Sequence, residues 1–258
     1  MIEEQELTQL CQQLHLPTIK KQLSFSLERA QRQQPGYAAF LLEQFQLEWE
    51  NKVQKRAARR LKEAKFPTIK TLDGFDFSKA PNLPETLIRE LALGEYIEKA
   101  QPIIFLGEPG TGKTHLASAL GYAAAQQGHM VRFIAASQLV NLLVEAKDSR
   151  CLSAITQRFS RYKLLIIDEL GYLPLSKSDS ELLFQVISQR QECLPTIFTT
   201  NLPFGEWTSI FPDHRLCKAL IDRITHHAHI IDFGEQSMRL EQTLTQLKGS
   251  QQGKPHFS

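Results

Sequence analysis

Apolar residues recur at helical spacing through the first 65 positions, and then the period changes. Leu7, Leu10, Leu14 and Leu16 form one stripe. Pro17 interrupts it, and Ile19, Leu23 and Leu27 begin a second. Gln33-Gln34-Pro35-Gly36 reads as a break. From Tyr37 a longer helix carries Phe40, Leu41, Phe45, Leu47 and Trp49, turns basic after Asn51 and ends at Phe66-Pro67. A connector follows over Thr71-Leu72-Asp73-Gly74-Phe75-Asp76-Phe77. Leu83-Pro84 then precedes a helix holding Leu87, Ile88, Leu91 and Ile97.

Beyond residue 100 strands and helices alternate. Short apolar runs at Ile103–Leu106, Val131–Ile134, Leu164–Ile167, Thr196–Thr200 and Ala228–Phe233 predict five strands. Helices are expected from Lys113 to Gln127, around Leu139–Val144 with Ser137 as cap, and up to Arg158–Tyr162. Two more are expected around Leu182–Ile187 and over Leu216–His226. The unbroken apolar run Leu164–Ile167 fits a strand covered on both faces. This order predicts an α/β fold, a parallel sheet flanked by helices, behind a small all-helical N-terminal domain. Ligands are then expected at the C-terminal ends of the strands. The expected boundaries are 1–66 for the helical domain, 67–249 for the α/β domain and 250–258 for a flexible polar tail.

The first strand runs into Gly107-Glu108-Pro109-Gly110-Thr111-Gly112-Lys113-Thr114, a complete G-x-x-x-x-G-K-[ST] loop before a helix. Glycines let successive N–H groups turn inward around phosphate, and the helix N-terminus adds partial positive charge. Lys113 is placed to reach the β and γ phosphates of ATP, and Thr114 to ligate Mg2+. His115 sits at the rim of this cofactor-binding set; helix packing or a solvent contact suits it better than catalysis. The strand Leu164–Ile167 empties into Asp168-Glu169, two carboxylates that are costly to hold together unless used. Asp168 is expected on the metal, directly or through water, and Glu169 on the attacking water. Asn201 ends the next strand, where its amide would orient that water or touch the γ phosphate, or serve only as a turn residue.

Charge changes the picture of the N-terminal domain. Between Lys52 and Lys70 lie eight cations, and Glu63 alone opposes them. That stretch carries +7, leaving −5 for the rest of a chain whose total is +2. Lys52, Lys55, Arg56, Arg59, Arg60, Lys62 and Lys65 are therefore candidate nucleic-acid contacts, with a merely solvated helix face as the competing reading. Cys11, Cys151, Cys193 and Cys217 lie far apart and form neither a zinc knuckle nor a redox pair, so reduced thiols and a cytoplasmic location are expected. His226, His227 and His229 lack partners at zinc-finger spacing. No window is apolar enough for a membrane helix, and the acidic N-terminus lacks a signal-peptide pattern.

Taken together, the phosphate loop, Leu164-Leu165-Ile166-Ile167-Asp168-Glu169-Leu170-Gly171, Thr199-Thr200-Asn201-Leu202, Leu220-Ile221-Asp222-Arg223-Ile224 and His226-His227-Ala228-His229-Ile230-Ile231 resemble the ATP-binding helper proteins of IstB-type insertion sequences. These are relatives of the helicase loader DnaC within the AAA+ ATPases. The likeness spans roughly residues 5–245. It implies an AAA+ P-loop ATPase that self-associates with ATP, assembles on and remodels double-stranded target DNA, and stimulates a partner transposase. It further implies a trans-acting arginine at Arg223, a nucleotide-sensing arginine at Arg239, and a base-packing role for Phe75 or Phe77, which ordinary core burial would equally explain. A replicative helicase loader, gripping a helicase through the helical domain, is the alternative. A switch that binds ATP without hydrolysing it fits less well, because both Asp168 and Glu169 are present.

Overall fold

Three helices account for the N-terminal stretch: α1 (Ile2–Gln13), α2 (Pro17–Gln33) and α3 (Tyr37–Ala64). The computed structural model describes residues 2–172, 174–191 and 193–235. Its two compact units are Met1–Arg59 and Arg60–Ser258. The expected tail and Arg239 lie outside the described residues.

In the smaller unit Pro17 opens α2, where its missing N–H leaves no helical bond unmade. Leu16 gives α2 no side-chain cap. Glu48 of α3 supplies one instead, its Oε2 accepting from the Thr18 and Ile19 amides at 2.7 and 3.1 Å. Cys11, Ile19 and Leu23 form a small apolar core. Along the part of α3 in this unit the buried positions are polar, Gln44 and Glu48, while Leu41, Leu42, Phe45, Trp49 and Val53 are exposed. At 100° per residue, Trp49 stands roughly opposite Gln44. The apolar stripe on this helix therefore faces away from the unit's own core.

The larger unit is built on a five-stranded sheet: β1 (Ile103–Leu106), β2 (Val131–Ala135), β3 (Leu164–Asp168), β4 (Thr196–Thr200) and β5 (His229–Asp232). The order is β2-β3-β4-β1-β5, with every neighbouring pair parallel. Side chains alternate across each strand and so feed two cores. Ile103, Phe105 and Ile166 pack with α4 (Glu85–Ala92), α5 (Glu95–Glu98) and α6 (Lys113–Gln126). Ile104, Ile167 and Phe198 pack on the other side with α7 (Ala136–Asp148), α8 (Leu152–Phe159), α9 (Lys177–Arg190) and α10 (His214–Thr225). Both faces of the sheet are covered, as the unbroken apolar strand requires. The last turns of α3 lie in this unit, where Leu61 and Ala64 join the first core.

Two local expectations are corrected. Ser137 does not cap α7: β2 passes straight into the helix at Ala136, and the capping position is Ala135, whose side chain has no oxygen. The apolar positions from Leu87 to Ile97 do not share one helix. Gly94 takes φ 91°, a left-handed conformation that ends α4 and starts α5. Sequence reading also passed over Arg190, which is 1% exposed. Its guanidinium donates to the Phe159, Tyr162 and Pro195 carbonyls and to Thr196 Oγ1. Burial lowers its pKa to about 10, which leaves it charged at neutral pH. No described helix is long and apolar enough to cross a membrane.

Candidate nucleotide site

Strand register brings the predicted residues to one edge of the sheet. Leu106 is level with Thr200, and Ile167 with Phe198, so β1, β4 and β3 end side by side. The phosphate loop, Asn201 and Asp168-Glu169 leave from those three adjacent ends.

The loop is pinned before it curls. Gly107 has φ 138°, and a Cβ there would come within 2.9 Å of the Gly234 carbonyl oxygen and of Phe233 Cβ. The Glu108 amide donates to that same Gly234 carbonyl at 3.0 Å. Gly112, with φ 103°, occupies the capping position of α6 and offers no side chain, so the first-turn amides of α6 remain available for phosphate. Lys113 Nζ lies inside the loop, donating to the Gly107 and Glu108 carbonyls at 2.6 and 2.8 Å and to Thr111 Oγ1 at 3.3 Å. Burial pushes its pKa down, and the charges of Asp168 and Glu108 act against that shift.

Thr114 Oγ1 donates to Asp168 Oδ1 at 3.0 Å. The two meet across 54 residues of sequence. A hydroxyl and a carboxylate at this separation are hard oxygen donors of the kind Mg2+ takes. Burial raises the Asp168 pKa; hydrogen bonds from Thr199 and Thr114 and the Lys113 charge oppose the rise. Next to it Glu169 is exposed and has φ 58°, a left-handed backbone uncommon for any residue but glycine. Strain of this kind concentrates at functional sites.

Asn201 is half-buried, and its Oδ1 is buried without a hydrogen-bond donor among the described residues. A Cβ on Gly171 would lie 3.2 Å from that oxygen, so Gly171 keeps the space beside it narrow but open. An unpartnered buried acceptor between a carboxylate and a phosphate loop is poised to take a bond from water.

Beside the loop lies a cavity of about 430 Å3, lined on the far side by Pro67, Thr68, Lys70 and the connector residues Gly74, Phe75 and Asp76. Phe75 is both a core residue and a wall of this cavity. Its ring meets Phe77 and His115 edge-on, with centroids 4.9 and 5.2 Å away. His115 Nε2 bonds the Thr71 carbonyl at 3.1 Å and so ties the connector to α6. Its pKa is lowered, by burial first. Lys70 and Thr68 were not singled out for this site, since Lys70 reads in sequence only as the end of the basic run.

Arg223 is far from this edge. It lines a cleft with Ala100, Pro102, Leu194 and Thr196, residues at the N-terminal ends of β1 and β4. Its guanidinium lies 4.5 Å from the Phe184 ring centre and donates to Ser188 Oγ. The length of the sheet thus separates Arg223 from the phosphate loop of its own chain. Of the basic segment, Lys52, Lys55, Arg56, Arg59, Lys62 and Lys65 are exposed, and Lys52 lies 3.7 Å from Glu48. Arg60 is half-buried over the end of α6, its Nη1 2.6 Å from where a Gly128 Cβ would stand. His226 and His227 stack edge-on, and no metal-binding cluster occurs among the described residues.

Solved structures share this architecture. AMPPCP-bound DnaA from Aquifex aeolicus aligns with TM-score 0.56 and 19% identity, over 72% of this chain and 56% of that one. The DnaC helicase loader aligns with TM-score 0.52 and 24% identity, over 58% and 87%. At such identities they show the fold alone. Closer in sequence is the ATP-binding protein of insertion sequence IS21 from Pseudomonas aeruginosa, 36% identical over 92% of this chain and 89% of that protein. The corresponding protein of IS5376 from Geobacillus stearothermophilus is 38% identical over 93% and 95%. The family model of IstB-like ATP binding proteins matches residues 8–246, taking in the helices from the middle of α1, the phosphate loop and every described strand, and it is to this family that the chain belongs.

Proposed function

We propose that this chain is the magnesium-dependent ATPase of an insertion sequence, assembling on duplex target DNA and activating a partner transposase. Family membership gives ATP binding and a helper role in transposition. The observation that carries hydrolysis is the meeting of Lys113, Thr114, Asp168, Glu169 and Asn201 at one sheet edge. Thr114 and Asp168 would hold Mg2+, which would supply positive charge against that developing on the phosphates. Lys113 holds the phosphates, Glu169 draws the proton from water, and Asn201 orients that water. Four free cysteines support a reducing, cytoplasmic setting. Electron microscopy of the protein with duplex DNA, with and without an ATP analogue, tests the whole reading. ATP-dependent assemblies on DNA are expected; particles indifferent to both ligands would overturn it.

Self-association is part of the proposal, with two supports. Leu41, Leu42, Phe45, Trp49 and Val53 expose more clustered apolar surface than scattered surface residues do. Arg223 is set away from its own loop and would leave Ser188 to serve a neighbour's γ phosphate. Arg223→Ala is accordingly expected to lower ATP turnover by about 1,000-fold, the lower end for a donated arginine, while affinity for ATP in the monomer stays near normal. Mixing it with Lys113→Ala protein builds interfaces that pair an intact loop with an intact arginine. Recovery of turnover in the mixture is the expected result. No recovery despite confirmed co-assembly would place the arginine's role elsewhere.

For DNA we assign the exposed face Lys55, Arg56 and Arg59. Arg60 is left out because it packs over Gly128. Replacing all three by glutamine should weaken duplex binding on every sequence, since phosphate contacts read no bases. The slope of log affinity against log salt should fall by up to about 2.7, at roughly 0.9 for each phosphate no longer neutralised. A salt series on both proteins measures this. Equal slopes and affinities would turn the helical unit towards a protein partner, as a helicase loader would use it.

A further inference from the structure

Thr199 stands in the strand between the phosphate loop and the two carboxylates, and it is 1% exposed. Valine would fill the same space, so packing does not explain a hydroxyl there. A buried hydroxyl is costly unless it is bonded. This one is bonded twice. Oγ1 donates to Asp168 Oδ1 and accepts from the Glu169 amide at 2.9 Å. The Thr199 carbonyl accepts from the Leu170 amide at 2.8 Å. One residue of β4 therefore grips three consecutive residues as the chain leaves β3. Its neighbour Thr200 turns its hydroxyl to the Leu202 amide instead.

We propose that Thr199 is a positioning residue of the hydrolytic site, its hydroxyl fixing the Asp168 carboxylate and the left-handed Glu169 backbone in one geometry. This rests on the ATPase reading above. The bond to Asp168 sets which carboxylate oxygen faces Thr114, since both hydroxyls converge on Oδ1. The bond from the Glu169 amide holds a backbone turn that an L-residue does not favour alone. Without it the chain after Asp168 relaxes towards ordinary φ, and the Glu169 side chain swings with it. The phosphate loop does not depend on this hydroxyl. The expected damage is therefore to turnover rather than to nucleotide affinity.

Thr199→Val and Thr199→Ser make the test, with three readouts: steady-state kcat and KM, equilibrium affinity for ADP without magnesium, and the thermal midpoint. Thr199→Val is expected to lose between about 10-fold and 100-fold in kcat, the scale of a misplaced reacting group. Its magnesium-free ADP affinity should stay within about threefold of wild type, because the loop is intact. Thr199→Ser keeps the hydroxyl and should recover kcat to within about threefold. If Thr199→Val does not fold, Thr199→Cys carries the same test, since a thiol fills the space but hydrogen-bonds weakly. Normal kcat in the valine or cysteine variant overturns the proposal. So does a serine variant as impaired as the valine one, or an ADP affinity that falls in step with kcat. Wild-type protein that hydrolyses no ATP overturns the ATPase reading along with it. Turnover abolished by Glu169→Gln but untouched by Thr199→Val overturns the role of Thr199 alone.

Discussion

Glu169→Gln is expected to keep ATP bound and to slow its hydrolysis by at least about 100-fold, the lower end of what a positioned general base contributes. The substitution preserves side-chain length and leaves the backbone bond to Thr199 in place. It strips only the carboxylate proposed to take the proton. Asp168, one residue earlier, is buried and already engaged by Thr114 and Thr199, so it is poorly placed to substitute. Glu169 by contrast is exposed beyond the end of β3. Affinity for ATP should stay within about threefold, because the phosphate contacts come from the loop and from Lys113. If assembly on DNA needs bound ATP and release needs hydrolysis, the variant should accumulate on DNA. Single-turnover hydrolysis at saturating ATP decides the matter. A rate near wild type would leave Glu169 without a catalytic role, whatever its backbone geometry.

How much of this site could be read from the sequence differs by residue. The phosphate loop was legible because its function is a backbone conformation, and backbone conformation is written locally by glycine spacing. Asp168 and Asn201 were legible because each follows a strand that is apolar or β-branched throughout, so its place at a strand end follows from the pattern. Thr199 was not legible. A threonine inside a strand satisfies β-propensity, and only the pairing of β4 with β3 shows that its hydroxyl meets the Asp168 carboxylate and the Glu169 amide. The His115 bond to the Thr71 carbonyl spans 44 residues and leaves no local trace. Arg190 was missed for a related reason. Arginine at a helix end reads as a surface charge, and its burial depends on carbonyls from two other segments converging on it. In the helical unit the spacing of apolar residues gave helices but not which side packs inward. Glu48 is buried on α3 because it caps α2, a tertiary contact with a residue 30 positions earlier.

Lys113→Ala is expected to weaken ATP binding by roughly 100-fold, in line with the 2–5 kcal/mol lost when one partner of a buried charge pair is truncated. Two effects add. The first is electrostatic: Lys113 is 9% exposed, and in the proposed site it is the cation that meets the β and γ phosphates. The first-turn amides of α6 carry only partial charge and cannot replace it. The second is structural. Nζ holds the Gly107 and Glu108 carbonyls and Thr111 Oγ1, so alanine frees three acceptors that shape the loop. The two effects separate experimentally. Loss of the ammonium–γ-phosphate attraction should weaken ATP more than ADP, whereas a loosened loop weakens both alike. Glu108 is also held by its amide bond to the Gly234 carbonyl, which limits the structural part, so the ratio of ATP to ADP affinity is expected to fall. Calorimetric titration of both nucleotides into wild type and variant measures the ratio directly. Unchanged ATP affinity would remove Lys113 from the site. Equal losses for ATP and ADP would make it a scaffold for the loop rather than the cation that meets the γ phosphate.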